Sequence, residues 1–162
     1  MVNPLRLRRE TLYELESSMV FAYVGGQHFS GRLLERQIAN YQGGVTDAVK
    51  AMDALKDLAH EMKRALLLGR LREFGDLMHV AWENKKKMAS GITNPTIDEV
   101  YEVAQKAGAL GGKISGAGGG GFMFFLVEPS NLFRVQEALK AANAQLVHFS
   151  FTEDGVSSWT LS

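Results

Sequence analysis

Apolar residues recur along the chain at helical spacing or as short dense runs, and these patterns predict its helices and strands. The longest periodic stretch is residues 46–68, where Val49, Met52, Ala59 and Met62 lie on one face and charged residues on the other, as in an amphipathic helix. Residues 122–127 are apolar on both faces and predict a strand at the centre of a sheet. The same criteria predict, in chain order, strand 5–8, helix 9–17, strand 18–24, helices 30–41, 46–68, 71–87 and 94–108, strand 122–127, a helix from 129 to about 143, and strands 146–151 and 156–161.

The order of these elements predicts an α+β fold. A β-α-β opening and a β-α-β-β ending surround a set of inserted helices, which favours a ferredoxin-like split β-α-β sandwich. A chain of 162 residues with 46% hydrophobic content can bury one core, so a single domain is expected. Asn94 as N-cap and Pro95 in the first turn predict where the last inserted helix begins.

Composition and charge exclude several classes of protein. Lys and Arg number 18, as do Asp and Glu, which gives a net charge of zero and no electrostatic case for nucleic acid or an anionic membrane. Cysteine is absent, so neither a disulfide framework nor a thiolate metal site is expected. No apolar run approaches the roughly 20 residues that cross a bilayer, and the first residues lack a signal-peptide core. We therefore expect a cytoplasmic protein.

Two kinds of catalytic site are not supported by the motifs present. The four histidines, at positions 28, 60, 79 and 148, include no pair three or four residues apart that would place two metal ligands on one helical face. No metal site is predicted. The Gly-x-Ser-x-Gly elbow of serine hydrolases does not occur either.

The most unusual stretch is residues 111–121, which contains seven glycines. Ordering so many glycines costs much conformational entropy, which indicates a need for unusual dihedral angles or for close approach of the backbone. Backbone N–H groups without Cβ atoms can hold phosphate oxygens. Residues 116–121 fit G-x-G-x-x-G, but that fingerprint requires a strand before it and a helix after it, whereas the pattern here predicts the reverse. Walker A fails because Ile114 follows Gly112-Lys113 and Ala107 replaces the first glycine.

The segment Gly-Lys-Ile-Ser-Gly-Ala-Gly-Gly-Gly-Gly at 112–121 resembles the third signature motif of the GHMP kinases, which lies in the C-terminal half of those enzymes. Residues 25–31, 82–87 and 92–98 are similar to the heptose-phosphate kinase branch of that family. The similarity extends over nearly the whole chain from Asn3. It implies that residues 1–162 are one C-terminal-type domain without the N-terminal nucleotide-loop domain.

The resemblance also implies a function. The chain would be the C-terminal domain of an ATP-dependent sugar kinase that phosphorylates D-glycero-D-manno-heptose 7-phosphate at the anomeric hydroxyl, giving the 1,7-bisphosphate. In that family the Pro-x-x-x-Gly-Leu-Gly-Ser-Ser-type loop and the acidic residue near the acceptor lie in the N-terminal half, and neither occurs here. We therefore expect no catalytic residue in this chain and no activity from it alone. ATP and Mg²⁺ would bind only together with an N-terminal kinase half.

The site residues that the resemblance implies fall into two groups. Main-chain groups near the nucleotide would come from Ser115, Gly116, Ala117, Gly118, Gly119 and Gly120. A sugar phosphate would be bound by Lys86, Trp82 and His28. Without the resemblance, the three lysines at 85–87 favour a structural role, since cations complement the C-terminal end of a helix dipole.

Two alternatives remain open from the sequence. The chain could be a stand-alone ferredoxin-like binding or regulatory module, whose glycine run binds a small anion or serves packing only. A domain separated from its partner half would also expose an apolar face, through which a homodimer could form.

Overall fold

The glycine-rich run and the lysine cluster belong to an assembly of helices on a small sheet. The computed structural model describes residues 3–26, 30–152 and 155–160. The elements are α1 Arg9–Ser17, β1 Met19–Tyr23, α2 Ser30–Gln42, α3 Thr46–Leu67, α4 Leu71–Lys87, α5 Pro95–Lys106, β2 Ala109–Ile114, β3 Phe122–Val127, a 3-10 turn Pro129–Asn131, α6 Leu132–Ala141 and β4 Gln145–Val147.

The strands form an antiparallel sheet in the order β2-β3-β1-β4. The chain passes from β1 to β2 through four helices and leaves room for β3 between them. It then passes from β3 to β4 through α6, with β1 between those two strands. These two crossovers are the split β-α-β units of a ferredoxin-like fold. The predicted α+β class with inserted helices is confirmed, and so is the central position of β3.

Three strand predictions are wrong. Residues 5–8 form no strand, and Leu5 remains exposed, so this short alternation buries too little apolar surface to hold a strand on the sheet. The predicted strand 146–151 is reduced to β4. Residues 156–160 have no regular structure, and Val156 and Trp159 are exposed, so no described part of the chain covers these two apolar positions.

A fourth error concerns the start of the glycine-rich run. Residues 109–114 form β2 and pair with β3, so the glycine loop connects two antiparallel strands and does not follow a helix directly. The dinucleotide fingerprint still fails, because a strand follows the loop where that motif needs a helix. Pairing with β3 outweighs the low strand propensity of Gly111 and Gly112.

The two faces of the sheet are covered differently. One face buries Met123, Phe125 and Val127 of β3 against residues of α5 and α6. On the opposite face, Leu126 packs with Leu71 of α4 and neighbouring apolar residues. The remainder of that face is open to solvent and aromatic.

Helix α4 lies directly on β2 through two glycines. A Cβ atom on Gly111 would lie 2.1 Å from the carbonyl oxygen of Gly75 and 2.6 Å from the backbone nitrogen of His79. The space between the α4 and β2 backbones at Gly111 therefore has room for a hydrogen atom but not for a Cβ atom. This contact matters for the site, because α4 ends in the lysine cluster and β2 leads into the glycine loop.

No helix within the described ranges is long and apolar enough to cross a membrane.

Candidate functional site

The glycine loop, residues 115–121, is held by backbone hydrogen bonds within this domain. The Ser115 N–H donates to the Phe122 carbonyl at 2.8 Å and closes the loop at its base. The Gly119 N–H donates to Ile92 at 2.8 Å, and the Gly121 N–H donates to Gly25 at 2.7 Å. The loop is thereby fixed both to the turn before α5 and to the segment after β1.

Two loop positions show why glycine is needed. Gly118 has φ +118°, and a Cβ there would lie 2.7 Å from the Ile92 carbonyl oxygen. Gly120 has φ +151°, and a Cβ there would lie 2.6 Å from the Gly25 carbonyl oxygen. Both positions combine a dihedral angle that other residues rarely adopt with close approach of another backbone. The expectation that unusual dihedrals or close backbone contact explain the glycine run is confirmed.

Side chains hold the carbonyl groups of the same loop. Asn94 caps α5 by accepting the Ile97 N–H at 3.0 Å, as predicted, and its Nδ2 donates to the Gly119 carbonyl at 3.3 Å. The Lys85 ammonium donates to the Gly116 carbonyl. Asn94 thus links the start of α5 to the loop, and Lys85 links the end of α4 to the loop.

The exposed part of the loop is its beginning. Ser115 and Gly116 are exposed and Ala117 is half-buried, whereas Gly118 and Gly120 are buried. Of the six predicted nucleotide-contacting positions, the first two are the most exposed. They offer the Ser115 hydroxyl and the Gly116 N–H as donors, because the Ser115 N–H is already bonded to Phe122. Such donors suit a ligand with several acceptor oxygens, of which phosphate is the commonest.

Two lysines lie at the base of the loop, Lys85 in the last turn of α4 and Lys113 in β2. Both side chains are half-buried. The Lys113 Nζ lies 5.9 Å from the centroid of the Phe124 ring. Burial, and then the nearby charge of Lys113, lower the pKa of Lys85 to about 8. Burial also lowers the pKa of Lys113.

Of the predicted substrate residues, Lys86 and Trp82 make their recorded contacts away from the glycine loop. The Lys86 ammonium lies 2.7 Å from a Glu83 carboxylate oxygen and 6.0 Å from the centroid of the Trp82 ring. Trp82 is fully buried and packs against Tyr101, and its indole N–H has no hydrogen-bond partner among the described residues. Trp82 is thus a core residue here, and the predicted contact of Lys86 and Trp82 with a substrate stays a prediction. His28 lies outside the described residues.

Sequence reasoning missed Lys85, the lysine that the structure brings to the loop. A signal for it exists in the heptad step Leu71, Met78, Lys85, because the first two of these residues are buried on α4. Residues seven apart lie on one helical face. The position of Lys85 on the packed side could therefore be read from the pattern, although its partner on β2 could not.

The open face of the sheet is lined by aromatic side chains, which we call the aromatic face: Phe21, Tyr23, Phe122, Phe124, Phe149 and Phe151. Phe122 stacks on Phe21 with ring centroids 5.2 Å apart. Tyr23 and Phe122 are each 39% exposed. Lys113 lies over Phe124, so this apolar surface adjoins the lysine pair and the glycine loop.

Comparison with known proteins relates the chain to one family. Residues 58–145 match the family described as GHMP kinases C terminal. The D-glycero-alpha-D-manno-heptose 7-phosphate kinase of Campylobacter jejuni is 32% identical over 99% of this chain and 47% of its own length. A mevalonate kinase of Saccharolobus solfataricus is 30% identical over 65% of this chain and 32% of its own length.

Solved structures agree with these relatives. A crystal structure of a D-glycero-D-manno-heptose 1-phosphate kinase from Bacteriodes thetaiotaomicron covers 100% of this chain and 42% of its own, with a TM-score of 0.67 and 34% identity. A putative sugar kinase from Campylobacter jejuni covers 98% of this chain and 44% of its own, with a TM-score of 0.66 and 32% identity. The chain spans less than half the length of each of these proteins.

Proposed function

The chain belongs to the GHMP kinase C-terminal domain family, and from this premise we propose that residues 1–162 form the C-terminal half of an ATP-dependent sugar kinase. The proposed substrate is D-glycero-D-manno-heptose 7-phosphate, phosphorylated at the anomeric hydroxyl to the 1,7-bisphosphate. The observation that carries the proposal is the glycine loop, whose exposed start at Ser115 and Gly116 lies beside two lysines. The similarity of the whole chain to two heptose-phosphate kinases supports the choice of sugar.

The loop and the lysines suit the demands of phosphoryl transfer, which depends on positioning and on stabilising negative charge. Glycine N–H groups can approach phosphate oxygens closely, and ammonium groups offset their charge. We propose that ATP contacts the loop over residues 115–120, through the N–H groups that are not already bonded to the Phe122 and Ile92 carbonyls. The residues described here include no group of three His, Asp or Glu side chains placed to hold a metal ion. We assign the ligands of Mg²⁺ to the nucleotide phosphates and to the other half of the kinase.

The substrate contacts are proposed in modified form. Lys86 would act as a cation near the sugar phosphate, after exchanging its pairing with Glu83. Trp82 would contribute only by supporting Lys86, because its ring is buried in the core. His28 remains a proposed substrate contact, and the proposal rests only on the resemblance of sequence segment 25–31 to the heptose-phosphate kinases.

The proposal includes a second half that this chain does not contain. The chain spans 47% of the length of its Campylobacter jejuni relative, which supports a partner of similar size. That N-terminal half would supply the nucleotide loop and the residue that handles the acceptor hydroxyl. The aromatic face is the surface that we expect it to cover. We place the assembled enzyme in the cytoplasm, where ATP and sugar phosphates occur.

Kinase assays on the isolated and the completed protein test this proposal. The 162-residue chain alone should show negligible ATP turnover, and the chain joined to its N-terminal half should convert the heptose 7-phosphate to the 1,7-bisphosphate, followed by ³¹P NMR. Strong turnover by the isolated chain would show that the domain is complete. A joined chain that is folded but inactive on this sugar would refute the substrate.

A stand-alone anion-binding module is the second candidate, and one observation favours it. The loop makes hydrogen bonds within this domain to Gly25, Ile92, Asn94 and Lys85, which favours a loop that keeps its shape without a partner. Calorimetric titration separates the candidates. A module should bind its anion tightly by itself, whereas half of a kinase site should bind both ATP and the sugar phosphate weakly.

A further inference from the structure

We propose that Lys85 and Lys113, together with the exposed start of the glycine loop, form a phosphate-binding site. The identity of the biological ligand rests on the proposed function, but the site itself rests on contacts within this chain. Its ligand class is a phosphate dianion, carried either by a sugar phosphate or by a nucleotide.

The geometry brings two distant parts of the chain to one place. Lys85 ends α4 and donates to the carbonyl of Gly116. Lys113 extends from β2, two residues before the loop begins. The close contact between α4 and β2 at Gly75 and Gly111 fixes the two lysines relative to each other. An ammonium group has three N–H donors, so Lys85 can bind a ligand while it holds the loop.

The charges of the pair are not balanced by a neighbouring acid. No carboxylate of the described ranges forms a salt bridge with Lys85 or Lys113. By contrast, Lys86, Lys106 and Lys140 each pair with a glutamate on their own helix. Placing two partly buried cations together without a counter-charge is unfavourable. A bound anion would remove that cost, which makes the arrangement suited to a ligand of opposite charge.

The neighbouring donors define the ligand more closely. Ser115 and Gly116 are both exposed, and the Gly116 carbonyl accepts from Lys85. A phosphate dianion has enough oxygens to accept from both lysines and from the loop at once, and its bonds to ammonium groups are charge-assisted. A single carboxylate offers less charge and fewer acceptor oxygens to the same donors.

Binding of inorganic phosphate to the 162-residue chain tests the site directly. At constant ionic strength, phosphate should shift the lysine ¹³Cε signals of Lys85 and Lys113 and the amide signals of Ser115 and Gly116 in a saturable manner. The substitutions Lys85→Gln and Lys113→Gln should each weaken binding by about tenfold or more, since each removes a charge-assisted bond.

Matched variants separate this site from general electrostatics. Lys87→Gln makes the same charge change on an exposed residue of the same helix and should alter affinity less than about twofold, because exposed charges are strongly screened. Lys113→Arg keeps the charge and should retain most of the binding, and thermal melts verify that each variant is folded. Equal effects of Lys85→Gln and Lys87→Gln, or no effect of the two Gln variants at the site, would overturn the proposal.

Separate titrations with the heptose 7-phosphate and with ATP identify the source of the phosphate. The ligand whose affinity falls in both Gln variants is the one bound at the pair. The outcomes also distinguish the two proposals. Phosphate binding that requires Lys85, in a joined chain without kinase activity, would support the site and refute the function. Kinase activity and ligand affinities unchanged in both Gln variants would support the function and refute the site.

Discussion

Replacing Gly111 with alanine should strongly destabilise the domain. The added Cβ would lie 2.1 Å from the Gly75 carbonyl oxygen and 2.6 Å from the His79 nitrogen, and both atoms are backbone of α4. No side-chain rotation can relieve these contacts. The helix would have to move away from β2 before ordinary contact distances were restored.

The size of the effect follows from this geometry. Overpacking typically costs about 1–3 kcal/mol where side chains can adapt, and occasionally more. Here α4 must shift as a unit, so we expect a loss of about 3 kcal/mol or more. In a domain of this size that corresponds to a fall in Tm of about 6–12 °C. Because α4 carries Lys85 and β2 carries Lys113, phosphate binding should weaken as well.

Urea unfolding followed by circular dichroism measures the loss, with an unchanged slope indicating that unfolding remains two-state. Gly31→Ala is the control, since Gly31 lies in α2 and, apart from its chain neighbours and its own helix backbone, no described atom lies within 4 Å of its added Cβ. It should be neutral or stabilising by up to about 1 kcal/mol. A Gly111→Ala variant that loses less than about 1 kcal/mol would refute the close packing of α4 on β2.

Four further predictions concern Asn94, Trp82 and Lys85. Asn94→Ala removes the cap of α5 and a donor to Gly119, so it should lower the free energy of unfolding by about 1 kcal/mol; unchanged urea unfolding would contradict that role. Trp82→Ala should cost about 3–5 kcal/mol because the indole is fully buried, and a variant as stable as the parent would show that the ring is not in the core. Phosphate affinity should decline as the pH rises through about 8, where Lys85 loses its proton. A phosphate affinity that does not change between pH 7 and 9 would argue against Lys85 as a ligand. The free energy of unfolding should increase between pH 8 and 10.5, because the unfolded chain still binds the proton that folded Lys85 has released; Lys85→Gln should reduce that increase.

Local patterns predicted the fold where packing agrees with them. The amphipathic helices, the cap at Asn94 and the central strand β3 are all found, because each depends on neighbouring residues. Strand β2 was not predictable in this way. Its two glycines disfavour a strand locally, and they are present because α4 and Phe125 approach the strand backbone. Such a requirement becomes visible only when the helix and the strand are placed together.

The candidate site was predictable only in its loop. In the run Lys85, Lys86 and Lys87, successive side chains point about 100° apart around the helix axis, so composition alone cannot say which one faces the loop. The answer depends on how α4 packs on β2. The tertiary contact turns Lys85 toward Gly116, leaves Lys86 beside Glu83 and exposes Lys87.

The internal support of the loop changes what a second half would have to provide. Ordering a glycine run costs conformational entropy. If the loop became ordered only when a partner docked, that cost would be subtracted from the free energy of docking. Here Ile92, Gly25, Asn94 and Lys85 already hold the loop through main-chain and side-chain hydrogen bonds. Donors fixed before a ligand arrives need no reorganisation when charge develops against them. The proposed N-terminal half would then supply the remaining nucleotide contacts and the residue that handles the acceptor hydroxyl, and the exposed start of this loop would be in position before that half docks.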